Sequence, residues 1–229
     1  SSILFERMKL PLILVNFKCY KEATGENALK LAKICEKVAR NYGINIAIAP
    51  QFTDLYLARK VEIPVFAQHV DAIEYGAFTG HISPLALKEI GVKGSLINHS
   101  EKKLGLEEIG KCVELLRKYK LISVVCADSL EKGKEIAKFK PNFIAYEDPI
   151  LIGSGKAISK VKPDSVKEFV EEIYKIEPEI KVLCGAGITN GEDVKKALDL
   201  GTKGVLVASG VVKARNPKRV LEDFAKAIR

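Results

Sequence analysis

The chain has 229 residues, of which 47% are hydrophobic and 29% charged, and its formal net charge is +8. No apolar run approaches the roughly 18 residues that span a bilayer, so no membrane partner is expected. Lys and Glu alternate along predicted helix faces such as "ALKLAKICEKVARNYG". The positive charge is therefore distributed over the surface and does not predict a nucleic-acid partner.

The cysteines and the remaining composition suggest where the protein works. Its five cysteines form no C-x-x-C pair, and no histidine lies at metal-ligand spacing from them. This pattern predicts reduced thiols, a cytoplasmic location and no bound metal. Sparse Gln with abundant Lys and Glu is typical of a thermophile.

The first residues differ in character from the rest of the chain. The segment "SSILFER", residues 1–7, precedes Met8, the single methionine. We interpret residues 1–7 as an expression scar and expect one domain over residues 8–229, because no linker rich in Pro, Gly or Ser interrupts them.

Eight short β-branched, apolar runs alternate with amphipathic helical patterns along the chain. They begin near residues 12, 44, 63, 94, 122, 143, 180 and 204, a mean step of (204 − 12)/7, about 27 residues, which suits one βα unit. Near-continuous hydrophobicity is expected of parallel strands covered on both faces. Eight such units predict an α/β fold, a single-domain (β/α)8 barrel. An open doubly wound sheet is the alternative, although its usual glycine-rich first turn is replaced here by "NFKCYKEATG".

Polar residues stand where several predicted strands end. Strand one ends in Asn16 and Lys18, strand four in "NHS" containing His99, and strand six in Glu147. The carboxyl ends of barrel strands open onto one face, so these side chains should converge. Glu147 follows the apolar run "FIAY" and would act as a base with little water around it, unless it merely starts a surface loop.

Other strand ends suggest an anion site. The sequence "SEKK" after His99 predicts a short helix whose N-terminal dipole would keep the imidazole neutral, as a donor. Lys18 would supply a fixed positive charge that Asn16 positions. The glycines of "IGSG", "CGAG" and "ASG" offer backbone N–H groups after strands six, seven and eight, where barrels bind phosphate. The lysine after "GSG" does not complete a P-loop.

Three motifs in this order resemble one family. With "NFK", "LINHSEKK" and "AYE…IGSGK" on strands one, four and six, the chain resembles triosephosphate isomerase from about Met8 to its C-terminus. The short length, "LCGAGI" and "LVASGVVKA" resemble the compact archaeal branch of that family. The resemblance implies interconversion of dihydroxyacetone phosphate and D-glyceraldehyde 3-phosphate through an enediol, in glycolysis and gluconeogenesis, without a cofactor or metal.

The same resemblance assigns roles to individual residues. Glu147 would move the proton between carbons, and neutral His99 would polarise the carbonyl and shuttle protons between oxygens. Lys18 and Asn16 would complete the catalytic group. Substrate-binding positions would be Asn16, Phe17, Lys18, Ile152, Gly153, Gly187, Ala208 and Ser209. The stretch "PILIGSGK", residues 149–156, resembles the family's lid, whose Ile152 and Gly153 would close over the substrate.

Supporting residues and assembly follow from the resemblance as well. Glu101 would lie near the lysine. In the long loop after strand three, Thr79 would reach the active site of a second copy, while His81 stands where many members have Glu. These features imply at least a homodimer, and the archaeal type points to a homotetramer.

One residue departs from the family pattern. Asp148 stands after Glu147, where the family usually has Pro, and the change should loosen the open lid. Asp148 would then either face Glu147 and weaken its ionisation, or face solvent or cap a helix.

Two alternatives for the function of the whole chain stay open: another phosphate-binding barrel, such as a sugar-phosphate epimerase or an isomerase of tryptophan biosynthesis, and an inactive barrel whose basic surface contacts RNA or a membrane.

Overall fold

Eight parallel strands form the centre of the molecule in the computed structural model, which describes residues 8–228. Their sheet order is β2-β1-β8-β7-β6-β5-β4-β3, and a bridge between Ile48 and Val65 joins the two outer strands. The sheet is thus a nearly closed barrel, and the prediction of a (β/α)8 fold is confirmed. The strands are β1 (Leu12–Asn16), β2 (Asn45–Ala49), β3 (Phe66–Ala67), β4 (Gly94–Ile97), β5 (Ile122–Ala127), β6 (Phe143–Tyr146), β7 (Lys181–Cys184) and β8 (Gly204–Val207).

The third strand is shorter than the sequence predicts. We expected it to begin near residue 63, but the regular strand covers only Phe66–Ala67. Pro64 explains the difference, because it has no N–H to donate to a neighbouring strand. Its carbonyl oxygen does accept a hydrogen bond from the Ile48 amide at 3.1 Å, which helps to close the barrel.

Helices cover the outside of the barrel. Several begin at side chains that accept a hydrogen bond from the first turn: Ser83, Ser129 and Asn190. The helices are α1 (Glu26–Tyr42), α2 (Pro84–Glu89), α3 (Leu106–Lys118), α4 (Leu130–Ala137), α5 (Ile158–Val161), α6 (Pro163–Ile176), α7 (Gly191–Asp199), α8 (Ser209–Val212) and α9 (Pro217–Ile228). Three 3-10 turns lie at Lys21–Ala23, Phe52–Arg59 and Pro149–Leu151.

The apolar core has two layers separated by the strands. Along β1, Leu12 and Leu14 belong to the cluster inside the barrel, while Ile13 and Val15 pack in the layer between strands and helices. This alternation follows from the period of two in a strand, and it explains why both faces are apolar. Phe66 is fully buried inside the barrel, against Gly94.

The parallel arrangement brings all eight carboxyl ends to one mouth, where the predicted site residues lie. The expected expression scar at residues 1–7 lies outside the described residues, so that interpretation and the domain limits remain predictions. No helix within residues 8–228 is long and apolar enough to cross a membrane.

Candidate active site

Glu147 and His99 meet at the barrel mouth. Glu147 Oε1 lies 3.2 Å from His99 Nε2, and the two side chains are 9% and 7% exposed. Oε1 is fully buried and makes no hydrogen bond of acceptable geometry with any described residue. A buried carboxylate oxygen without a donor is costly, and it is typical of a group that awaits a ligand.

The hydrogen bonding of His99 fixes its protonation. Its Nδ1 accepts the backbone N–H of Glu101 at 3.1 Å. An amide nitrogen can only donate, so Nδ1 has no proton, and the ring is neutral with its proton on Nε2. The Glu101 carboxylate, 3.5 Å from Nδ1, is too far to form a competing hydrogen bond.

The predicted helix after His99 is wrong. Residues 100–102 form a turn, in which the Lys102 amide donates to the His99 carbonyl at 2.8 Å. The side chain of Asn98 competes with a helix here, because its Oδ1 accepts from the Leu104 amide at 2.8 Å. The imidazole is therefore held neutral by a single amide donor and not by a helix dipole.

Lys18 is fixed from several directions. Its backbone has a φ of 47°, and its N–H donates to Asn16 Oδ1 at 2.9 Å. Its ammonium group lies 2.9 Å from Glu101 Oε2, and its side chain is 11% exposed. Gln68 donates to the carbonyl oxygens of Lys18 and Ala49, both at 2.9 Å. The sequence analysis missed Gln68, although it also follows a strand end, in "FAQ".

A small cavity joins Lys18 and Glu147 to the glycine-rich loops. Its volume is about 30 Å³. Gly187 has a φ of 74°, which a residue with a Cβ adopts only under strain, and its position leaves no room for a Cβ beside the Lys156 backbone. The predicted residues that line this cavity are Lys18, Glu147, Ile152, Gly153, Gly187, Ala208 and Ser209.

Phe17 departs from its predicted place. Its ring is fully buried in the layer between strands and helices, and it lines neither cavity at the mouth. The strand period explains this, because Asn16 and Lys18 point into the mouth and the residue between them points the other way. A contact between the Phe17 side chain and a substrate is therefore not supported.

A second cavity, of about 620 Å³, opens beside Lys18 and His99. Cys19, Phe52 and Leu96 contribute apolar surface to it. Thr79 does not line it and is exposed at the tip of the long loop after β3. Another cavity, of about 580 Å³, is lined by residues preceding β5, β6 and β7, at the opposite end of the barrel, and contains none of the predicted catalytic residues.

Asp148 does not face Glu147. Its Oδ1 accepts the Ile150 amide at 3.0 Å and so caps the turn Pro149–Leu151, while its Oδ2 pairs with Lys162 Nζ. The hydrogen bond from Lys162 holds the pKa of Asp148 below its ordinary value. Of the two interpretations of this residue, the cap is confirmed. Nothing in these contacts loosens the hinge.

Two buried thiols lie close to Glu147. Burial raises the pKa of Cys126 and of Cys184, and the nearby Glu147 carboxylate raises both further. These thiols stay protonated at neutral pH and are not nucleophiles. Within residues 8–228, no group of three or more His, Cys, Asp or Glu side chains could hold a metal ion.

Comparison with known proteins identifies the family. The family model described as triosephosphate isomerase matches residues 11–228. The chain belongs to the triosephosphate isomerase family. Triosephosphate isomerase of Methanothermus fervidus is 52% identical over 218 residues, which cover 95% of this chain and 98% of the relative.

Other triosephosphate isomerases are nearly as similar. That of Sulfurisphaera tokodaii is 49% identical over 95% of both chains. That of Methanobacterium bryantii is 48% identical over 97% of this chain and 99% of its own. These relatives are archaeal, which agrees with the resemblance to the compact branch of the triosephosphate isomerase family.

Proposed function

We propose that this chain interconverts dihydroxyacetone phosphate and D-glyceraldehyde 3-phosphate, a step of glycolysis and gluconeogenesis. The observation that carries the proposal is the buried Glu147 carboxylate 3.2 Å from a neutral His99, at a mouth that also holds Lys18. Triosephosphate isomerase is itself a standard example of this division between a carboxylate base and a neutral histidine. The family match over residues 11–228 supports it.

The proposed reaction moves one proton between adjacent carbons. Glu147 removes a proton from the carbon next to the carbonyl, and the electron pair of that C–H bond forms an enediolate. The Nε2–H of His99 donates to the carbonyl oxygen as negative charge develops there, then gives up its proton and takes another from the neighbouring hydroxyl. Glu147 returns its proton to the second carbon, so atoms and charge balance.

Lys18 and Asn16 serve the same transition state. The Lys18 ammonium group would stabilise the enediolate charge, and its effect would be strong once closure of the lid excludes water from the mouth. Asn16, with its Oδ1 on the Lys18 amide, and Glu101, with its carboxylate on the ammonium group, would hold the cation in place. Because this charge is preorganised, little reorganisation is needed during the reaction.

The glycine-rich loops would bind the phosphate group. Gly187 and Ser209 line the small cavity together with lid residues Ile152 and Gly153 and with Ala208. The first two backbone N–H groups of α8, those of Ser209 and Gly210, have no partner within the helix and would donate to phosphate oxygens, whereas those of Val211 and Val212 donate to the Ala208 carbonyl. Closure of the lid over the substrate would exclude water and hold the intermediate against phosphate elimination.

The deciding experiment is a coupled assay, in which NADH oxidation reports dihydroxyacetone phosphate formed from glyceraldehyde 3-phosphate. Glu147→Gln should lower kcat about 10²- to 10⁴-fold, the usual contribution of a positioned general base. Glu107→Gln is the matched control, because the Glu107 side chain is 85% exposed. An inactive wild-type chain would refute the proposal, and salt-dependent retention on nucleic acid would then favour the binding scaffold.

We also propose that the active form is an oligomer, a dimer at least and a tetramer by analogy with the archaeal type. Exposed Tyr75 and Phe78 precede Thr79 on a loop whose two ends are tied by reciprocal hydrogen bonds of Asp71 and Ile82. The cavity of about 620 Å³ beside Lys18 could receive this loop from a second copy. Sedimentation of Phe78→Asp, with Tyr174→Asp as an exposed control, tests the assembly.

A cytoplasmic location and a thermophilic source belong to the same proposal. Support comes from the five free cysteines and from the many surface ion pairs, such as Lys103 with Asp128 at 2.8 Å. Thermal unfolding in low and high salt tests the second point. A melting temperature in the mesophilic range, about 45–65 °C, would refute it.

A further inference from the structure

One helix holds the chain on both sides of Glu147. The ring of Tyr146, one residue before Glu147, stacks on Phe169 of α6, with centroids 4.4 Å apart and ring planes 2° from parallel. Asp148, one residue after it, pairs with Lys162, which directly precedes α6. The backbone of the proposed base is therefore fixed between two contacts to the same element.

The Asp148 contacts also close the lid segment into a loop. Asp148 and Lys162 are 14 positions apart, and the chain between them contains the turn Pro149–Leu151, the lid residues Ile152 and Gly153, and α5. The Asp148 side chain is 13% exposed and that of Lys162 44%. One end of the pair is thus shielded from solvent, so salt and water screen it less than a fully exposed pair.

The lid covers little free space. The cavity beneath it measures about 30 Å³. A single water needs about 10–15 Å³ by a comparable measure, so the space directly beneath the lid does not accommodate a phosphate group unless the lid moves. Ile150 is 84% exposed, whereas Leu151 is buried. The part of the lid that moves therefore begins after Asp148, whose contacts fix the chain, and it includes the exposed Ile150.

We propose that Asp148 and Lys162 are positioning residues, whose ion pair fixes the first hinge of the lid and, through it, the orientation of Glu147 toward His99. Neither residue lines the two cavities at the mouth, so both lie outside the proposed substrate-binding group. The proposal rests on the proposed isomerase function for its kinetic readout. Loss of the pair leaves substrate contacts intact but makes the reactive arrangement less populated, so kcat falls and KM stays nearly constant.

Matched variants isolate the charge interaction. Asp148→Asn keeps the oxygen that caps Pro149–Leu151 and removes the charge, while Lys162→Met removes the other partner. Lys160→Met is the control, because Lys160 is exposed to the same degree, 43%, and pairs with Glu192 and Asp193. Lys162→Arg tests whether another cation restores the pair.

The expected results separate the proposal from a general structural effect. Each charge-removing variant should lower kcat about 5-fold with KM changed less than about twofold, and the double variant should be no worse than either single one. Hydrogen exchange of lid amides 150–155 should speed up by a similar factor, while β6 is unchanged. Lys162→Arg should return kcat to within about twofold of wild type.

Several outcomes would overturn the proposal. It fails if Lys162→Met behaves like Lys160→Met in both assays, or if the effects of the two single variants on kcat multiply in the double variant. An inactive wild-type chain would refute the proposed function alone. In that case, faster lid exchange in the pair variants and not in Lys160→Met would still support the ion pair as the lid anchor.

Discussion

Replacing Gly187 by Ala tests how tightly the glycine-rich loop after β7 packs against the end of the lid. The substitution should lower stability in two ways. The φ of 74° imposes left-handed strain of roughly 1–2 kcal/mol on Ala, and the new Cβ would overlap the Lys156 backbone, where overpacking costs roughly 1–3 kcal/mol more. We expect the free energy of unfolding to fall by about 2–5 kcal/mol.

Gly43 supplies the control for strain alone. It ends α1 with a φ of 65°, and nothing lies within 4 Å of an added Cβ. Gly43→Ala should therefore cost only about 1–2 kcal/mol and leave activity unchanged. In Gly187→Ala, displacement of the lid end at Lys156 and of the amide proposed to bind phosphate should lower kcat/KM about 10- to 100-fold.

Urea unfolding followed by circular dichroism gives the two stabilities, and the coupled assay at low substrate concentration gives kcat/KM. Equal stability losses in the two variants, together with wild-type kcat/KM in Gly187→Ala, would refute the reasoning. Such a result would mean that the lid hinge yields without cost and that the Gly187 amide does not depend on it.

Three further predictions concern charge, thiols and core packing. The hydrogen bond from Lys162 lowers the pKa of Asp148, so the pair stabilises the fold above the unfolded carboxyl pKa of about 3.9 and stops doing so as the pH falls through the folded value. In urea melts, Asp148→Asn should therefore be less stable than wild type at pH 7 and equal to it near pH 2. A stability difference that stays constant with pH would contradict this prediction. At pH 8, maleimide should modify at most one thiol per native chain, that of the exposed Cys19, because burial raises the pKa of Cys35 and Cys112 to about 12. Labelling of a second thiol before unfolding, detected by mass spectrometry, would disprove this prediction. Phe66→Ala should cost about 3–5 kcal/mol in urea melts, whereas Phe52→Ala, at a side chain 40% exposed, should cost far less, and similar losses would exclude the two-layer core.

The sequence predicts the fold well because parallel strands have a strong local signal. Seven of the eight expected strand starts agree with the observed ones to within one residue: β1, β4, β5, β6 and β8 begin at the expected residue, and β2 and β7 begin one residue later. The exception is β3, where the missing amide of Pro64 delays the strand. Apolar, β-branched runs specify where strands form, but the residue at which a strand begins depends on whether it has an N–H group to donate to the neighbouring strand.

The site was predictable where chemistry alone dictates a residue at a strand end. Glu147, His99 and Lys18 lie together at the mouth as expected. Contacts that depend on side-chain direction were harder to foresee: Phe17 points away, and a turn replaces the helix after His99. The Asp148 pair joins positions 14 apart, and no periodicity in the sequence indicates such a contact.

Barrel closure and the placement of Lys18 share one amide group. The seam between β2 and β3 has a single backbone bridge, and there the Gln68 side chain donates both to Ala49, the last residue of β2, and to the carbonyl of Lys18. A mutation of Gln68 that shifts Lys18 also changes how strongly the seam between β2 and β3 is held together. Substitution of Gln68 should therefore change both the placement of Lys18 and the stability of the barrel seam.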